Sequence, residues 1–234
     1  MKATVDQIRQ RFDHEVERFS NLDTAQSSTV DAPLALELIT KAAAAVNPHA
    51  SHVLDIGCGA GNYTLKLLQS LPDIDVTLVD LSQPMLDRAF ERIRPVAKGQ
   101  ITLIQGDIRD IPLGESQFDI IMAAAVFHHL RSEDEWKAVF SKCYIALAPG
   151  GSFWISDFIE HNIPEVQALM WERYGSYLTQ LKDESYRDHV FGYIEQEDTP
   201  RSLLYQVDLL RHVGFQSVEI LHKDNCFAAF GGFR

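Results

Sequence analysis

The chain has 234 residues, of which 46% are hydrophobic and 23% charged, and a formal net charge of −12. That length suits one sizeable core, and no apolar run reaches the ~20 residues of a membrane-spanning helix. The negative balance repels phosphate backbones and argues against a nucleic-acid substrate. Three cysteines, Cys58, Cys143 and Cys226, stand far apart without a Cys-x-x-Cys pair, which predicts free thiols and a cytoplasmic setting. The first residues are polar and helical, so no signal peptide is expected.

Val5, Ile8, Phe12, Val16 and Phe19 recur at three- and four-residue spacing, which predicts an amphipathic helix over 4–19. Residues 20–32 are small and polar and predict a loop, either a linker or a flap over a binding site. Pro33 opens a second helix that runs to Val46. Strands and helices then alternate: strand 52–56, helix 62–71, strand 75–80, helix 83–94 with Ser82 as its N-cap. Strands 101–105 and 118–123, helix 133–147 and strand 150–157 follow. This alternation predicts a doubly wound α/β fold with a parallel sheet, whose ligand edge lies at the strand C-termini.

The alternation breaks after Asp157. Residues 162–198 are helical in pattern and rich in aromatics, which predicts a cap inserted at about 160–198. Thr199 and Pro200 predict the start of a helix over 199–213. Strands 216–221 and 226–233, joined through Lys223, Asp224 and Asn225, predict a closing hairpin. The whole is expected to be a single domain, 1–234, with a helical and flap segment over 1–48.

The informative stretch is Val53-Leu54-Asp55-Ile56-Gly57-Cys58-Gly59-Ala60-Gly61. A buried strand runs into an acid and three alternate glycines, and a helix begins directly after. Such a corner lets a ligand approach the backbone closely. Its spacing is not the Gly-x-Gly-x-x-Gly of dinucleotide enzymes, and no Gly-Lys-Ser/Thr follows, so nothing here is built for a phosphate. Asp80 ends the second strand, where a carboxylate accepts both hydroxyls of a ribose. Gly106, Asp107 and Ile108 follow the third strand; Asp107 is placed to accept from an adenine amino group while Ile108 packs on its ring. Ala123, Ala124 and Ala125 leave room at the fourth. Three acids at three strand ends after one glycine turn describe a pocket for an adenosine without phosphates.

Residues 52–158 resemble the class I S-adenosylmethionine-dependent methyltransferases. The resemblance rests on Leu54-Asp55-Ile56-Gly57-Cys58-Gly59-Ala60-Gly61, Leu78-Val79-Asp80-Leu81-Ser82, Gln105-Gly106-Asp107-Ile108, Phe118-Asp119-Ile120-Ile121 and Leu147-Ala148-Pro149-Gly150-Gly151. It implies a Rossmann-like, mostly parallel seven-stranded sheet with a reversed last strand. It implies S-adenosyl-L-methionine as cofactor and S-adenosyl-L-homocysteine as product. The implied cofactor residues are Asp55, Gly57, Cys58, Gly59, Gly61, Asp80, Leu81, Met85, Gly106, Asp107, Ile108 and Ala124. Asp55 and Gly57 would lie near the methionine part, Asp80 at the ribose, Met85, Asp107 and Ile108 at the adenine. A narrower resemblance, to carboxy-S-adenosylmethionine synthases, rests on Phe12-Asp13, Gly106 to Asp110, Ser156-Asp157-Phe158 and the tail from His212. In the synthases a cap arginine binds the product's extra carboxylate. Arg187 lies in that region, but its local spacing differs and the role is not carried over.

Phe127-His128-His129-Leu130 matches a segment recurrent after the fourth strand of small-molecule methyltransferases. His128 is the candidate base for an acidic acceptor proton, by position and by the ordinary near-neutral pKa of imidazole; its alternative role is structural. His129, being adjacent, is expected to point elsewhere. No metal is expected, because no third and fourth ligands recur at metal spacing. Asp157, Tyr174, Tyr177 and Arg187 are substrate-pocket candidates. The expected reaction is in-line methyl transfer to a small-molecule acceptor. A carboxy-S-adenosylmethionine synthase, in the pathway of tRNA wobble-uridine modification, and a catalytically silent cofactor-binding module are the alternatives. A homodimer is compatible with the sequence, and no membrane partner is expected.

Overall fold

The computed structural model describes residues 2–20 and 27–234. Its centre is a seven-stranded sheet in the order β3-β2-β1-β4-β5-β7-β6. The strands are β1 (His52–Ile56), β2 (Asp75–Asp80), β3 (Ile101–Gln105), β4 (Phe118–Ala124), β5 (Leu147–Phe158), β6 (Ser217–Asp224) and β7 (Phe227–Phe233). The first five pair in parallel, and β7 runs antiparallel to both β5 and β6. The predicted doubly wound sheet with its reversed last strand is therefore present. The order reverses between β1 and β4, where α/β sheets open a crevice beyond the strand ends.

Both faces of the sheet are covered. Val53, Ile120 and Met122 pack under α3 (Ala32–Val46), α4 (Asn62–Leu67) and α5 (Gln83–Ile93). The alternate residues Leu54, Ile56, Ile121 and Ala123 pack under α6 (Glu133–Ala146) and α9 (Leu203–Val213). This two-residue alternation, with apolar residues on both faces, is what a buried parallel strand requires. Each helix turns one stripe inward: Met85, Leu86, Ala89 and Ile93 on α5, and Trp136, Val139, Phe140 and Cys143 on α6. The Ser82 hydroxyl accepts from Met85 N at 3.3 Å, as its N-cap position predicts.

The region after β5 folds as α7 (Pro164–Leu181) and α8 (Glu184–Glu197). Phe158, Tyr174, Leu178, Val190 and Ile194 form a third apolar cluster there. The expected helix start at Pro200 is not found. Thr199 N donates to His128 O at 2.6 Å and Ser202 bridges Glu160 in parallel, so 199–202 stays extended. Ser202 caps α9 instead, accepting from Tyr205 N at 3.3 Å. The hairpin turn lies at Asn225 and Cys226 rather than at 223–225, with Asn225 at φ 45°. Asn tolerates that left-handed conformation better than most residues.

The predicted N-terminal helix splits at Glu15 into α1 (Val5–His14) and α2 (Val16–Ser20). Thr4 and Gln7 form a capping box, with Thr4 N to Gln7 Oε1 at 2.9 Å. Of α1's apolar residues only Ile8 is buried. The remaining stripe faces a cavity rather than the core. Both helices lie as a roof over the strand ends, tied to α5 through the Arg88–Glu17 pair and to α8 by Arg11 on Glu197, with Nε at 2.8 Å and Nη2 at 2.5 Å. Among the described residues no helix is long and apolar enough to cross a membrane.

Candidate active site

A continuous cavity opens at the C-terminal ends of the parallel strands. It is lined by the glycine turn, the ends of β2, β4 and β5, the roof helices and the inner faces of α7 and α8. The turn is shaped by close packing. Gly57 has φ 62°, and a Cβ there would stand 2.3 Å from Val126 Cγ2. Asp80, 9% exposed, accepts from Gly59 N at 2.8 Å with Oδ2 and from Ser82 N at 2.9 Å with Oδ1. Burial lifts its pKa to about 6 against those backbone donors. Asp55, 2% exposed, accepts from Thr64 Oγ1 at 2.6 Å, and burial lifts it to about 7. A carboxylate accepts more bonds than these, so both acids keep capacity for a ligand. Above Gly59 a Cβ would meet nothing within 4 Å, which leaves a cradle beside Asp80.

At the third strand end, Asp107 is clasped by Arg109: Oδ1 accepts from Arg109 N and Nε, each at 2.9 Å. Burial raises its pKa, but the Arg109 bonds and charge outweigh it and leave the group below the usual carboxylate value. Asp107 thus enters the cavity as a fixed anion.

Just past the end of the fourth strand stands Ala125, which has φ 57°. A non-glycine residue pays a steric penalty there, and such outliers gather at functional sites. The kink delivers the short 3₁₀ turn Phe127–His129 to the cavity wall. His128 N donates to Asp157 Oδ2 at 3.1 Å, and the ring Nδ1 meets Asp157 Oδ1. Its Nε2 lies 3.7 Å from Asp198 Oδ1. Burial opposes charge on His128, but Asp198 and Asp157 overcome it and lift the pKa to about 9. His129 does not point elsewhere. Its ring lies 4.3 Å from that of His128, and its Nδ1 is 3.2 Å from the same Asp198 oxygen. Burial and the His128 charge hold its pKa down. In a tight turn both neighbours reach one partner when that partner sits over the turn, as Asp198 does.

Residues 53–151 match the methyltransferase domain family. The match falls within the 52–158 stretch that resembles the class I S-adenosylmethionine-dependent methyltransferases. It is 33% identical over 116 residues to a malonyl-[acyl-carrier protein] O-methyltransferase of Priestia megaterium, covering 50% of this chain and 40% of that one. It is 25% identical over 171 residues to a demethylmenaquinone methyltransferase of Lactococcus lactis, covering 71% and 66%. The chain's matches thus span under two thirds of the length of both relatives. Among solved structures, Burkholderia thailandensis 1,6-didemethyltoxoflavin-N1-methyltransferase superposes with a TM-score of 0.64 at 16% identity, over 100% of this chain and 92% of that one.

The residues present fit S-adenosylmethionine: a cradle at Gly59, an acid at each of three strand ends, and apolar Met85 and Ile108 between them. Every predicted cofactor residue except Gly61 lines the cavity. Gly61 is a packing residue: it caps α4 at φ 81°, and a Cβ there would lie 2.8 Å from Ile93 Cδ1. Of the substrate-pocket candidates, Asp157 and Tyr174 line the cavity and Tyr177 and Arg187 do not. Tyr177 turns its hydroxyl to Ser27 O at 2.8 Å. Arg187 lays its stem over Gly175 and pairs with Asp188 at 2.8 Å. The expected flap lies partly at 21–26, outside the described residues; Ser28 and Thr29 do line the cavity. Cys58 is buried, and burial pushes its thiol well above the usual value.

Several lining residues carried no signal in the sequence. Asp198 is 70 positions from His128 and looks like an ordinary helix-ending acid. Arg11, Phe12 and Phe19 read as one amphipathic helix, and Tyr193 as one cap aromatic among many.

Proposed function

We propose that this chain transfers the sulfonium methyl of S-adenosylmethionine to a small-molecule acceptor. One observation carries the reading: a single cavity, roofed by α1 and α2, joins the Asp80–Gly59 cradle to the His128–Asp157 pair. Cofactor and acceptor would meet under that roof. The apolar part of the acceptor end is Phe158, Tyr174 and Phe227, and its polar end is His128 with Asp157 and Asp198.

When bound, the cofactor supplies an electrophilic methyl. The chain's own contribution is largely positioning, which brings nucleophile and methyl into line at about 3 Å and supplies several kcal/mol. Asp80 holds the ribose and Asp55 lies near the cationic end, where its carboxylate favours the positive sulfonium. His128 faces the acceptor. Asp157 fixes the ring orientation through both the backbone and Nδ1, which leaves Nε2 at the cavity wall, 3.7 Å from Asp198 Oδ1. The demethylmenaquinone methyltransferase relative supports a small-molecule acceptor class.

The test is incubation with methyl-labelled S-adenosylmethionine and a panel of phenols, hydroxyquinones and carboxylic acids. Labelled product with release of S-adenosylhomocysteine is expected. Tight cofactor binding without transfer to any member would favour a silent binding module instead. Arg187, the cap arginine considered for the synthase alternative, stands outside the cavity.

A further inference from the structure

The cluster beside the acceptor end of the cavity has more ligand atoms than a base requires. His128, His129 and Asp198 each offer one donor atom, and the three atoms lie within 4.8 Å of one another. Asp198 Oδ1 is 3.2 Å from His129 Nδ1 and 3.7 Å from His128 Nε2. Ligands bonded to one ion at about 2.1 Å stand roughly 3.0 to 3.7 Å apart for angles between about 90° and 120°. The two separations from Asp198 are those of neighbouring ligands on one ion, and the two imidazole nitrogens, within 4.8 Å of each other, close the triangle by a rotation of the rings.

We propose that His128, His129 and Asp198 form a three-ligand site for a divalent first-row transition ion, open toward the acceptor. Four observations support it. The donor set of two imidazoles and a carboxylate suits Zn²⁺, Fe²⁺, Co²⁺ or Ni²⁺ and is poor for Mg²⁺ or Ca²⁺. The second nitrogen of His128 rests on Asp157, the carboxylate–histidine support that orients metal-binding imidazoles. The rings are fixed by packing: Phe12 meets His129 edge-on at 6.1 Å, and Phe158 meets His128 edge-on at 6.3 Å. All three ligands line the cavity, so the remaining coordination positions face the acceptor.

Charge points the same way. Asp157 and Asp198 place two buried carboxylates against two imidazoles. The adjacent Glu197 is matched by Arg11, which grips it through two nitrogens. The two buried carboxylates give the cluster negative charge that favours a cation. Lys2 Nζ holds the Asp198 carbonyl and fixes the ligand's backbone at the end of α8. An ion here would bind an acceptor oxygen; that role rests on the methyl-transfer reading, whereas the ion site itself does not.

The full chain, freed of metal by chelator and dialysis, is titrated with Co²⁺ as an optical probe and with Zn²⁺ by calorimetry. One equivalent should bind, with visible d–d absorption of low coordination number. Asp198→Asn and His129→Gln should each weaken binding at least tenfold, while exposed His52→Gln leaves it unchanged. His129→Cys should keep Co²⁺ and add sulfur-to-cobalt charge-transfer absorption, which keeps the test decisive if the deletions misfold. S-adenosylhomocysteine affinity is measured in parallel. Metal bound without it sinks the cofactor reading alone. No stoichiometric metal binding, or binding indifferent to Asp198→Asn and silent in His129→Cys, overturns the site.

Discussion

His128 meets Asp157 twice, through its backbone N–H to Oδ2 at 3.1 Å and through its ring Nδ1 to Oδ1. The two contacts lock both where the residue sits and how its ring is turned. Asp157 ends the parallel strand next to β4, so the lock is built into the sheet itself.

That arrangement sets the first expectation. His128→Asn should lower kcat by about 10² to 10⁴ if the ring handles the acceptor's proton. Asp157→Asn, which removes the orienting charge but keeps the shape, should lower it in the same direction. S-adenosylhomocysteine affinity by calorimetry should change less than threefold in both. A matched loss of cofactor affinity would place these residues in the cofactor half instead.

Asp80 faces the opposite half. Asp80→Ala removes the acceptor of the Gly59 amide as well as the proposed ribose contact. Cofactor affinity should fall about 10- to 100-fold, about 1.4 to 2.8 kcal/mol. Unchanged affinity in calorimetry would refute the assigned pocket.

Asp55 makes the cofactor half sensitive to pH. Its folded pKa is raised from 3.8 to about 7, chiefly by burial. The folded chain therefore holds a proton that the unfolded chain has released. The associated stability is full below about pH 3.8 and is lost as pH rises through about 7. Denaturation midpoints should fall less across that window in Asp55→Asn than in the parent. A cationic sulfonium favours the carboxylate, so binding near pH 6.5 should release protons. Equal calorimetric heats in buffers of different ionisation enthalpy would contradict this.

Two glycines of one turn should behave differently. Gly61→Ala forces a side chain into φ 81° and against Ile93, so it should cost at least about 1–2 kcal/mol of stability and leave cofactor affinity within twofold. Gly59→Ala meets open space in the protein but sits in the proposed cradle, and it should weaken the cofactor more than it lowers Tm. Thermal melts with and without S-adenosylhomocysteine separate the two.

The alternating part of the fold was open to reading because local signals and tertiary demands agree there. Strands β1 to β4 fall within one residue of their hydrophobic runs, and Ser82 caps where its hydroxyl predicts. The helix start at Thr199-Pro200 misleads because Thr199 is bound to His128 O, a contact no neighbouring residue announces. The α1 stripe reads as core, yet an apolar stripe can equally face an apolar cavity, and periodicity does not tell the two apart. The same limit hides Asp198. Its chemistry arises from a meeting with His128 and His129 across the fold, and spacing along the chain records nothing of it.

The roof is clasped at both ends, by Glu17 on Arg88 over the cofactor side and by Arg11 on Glu197 over the acceptor side. The two half-sites therefore share one wall. A ligand packed against that wall from one side therefore holds it for the ligand on the other. Cofactor and acceptor should then strengthen each other's binding by one and the same factor, measured from either side.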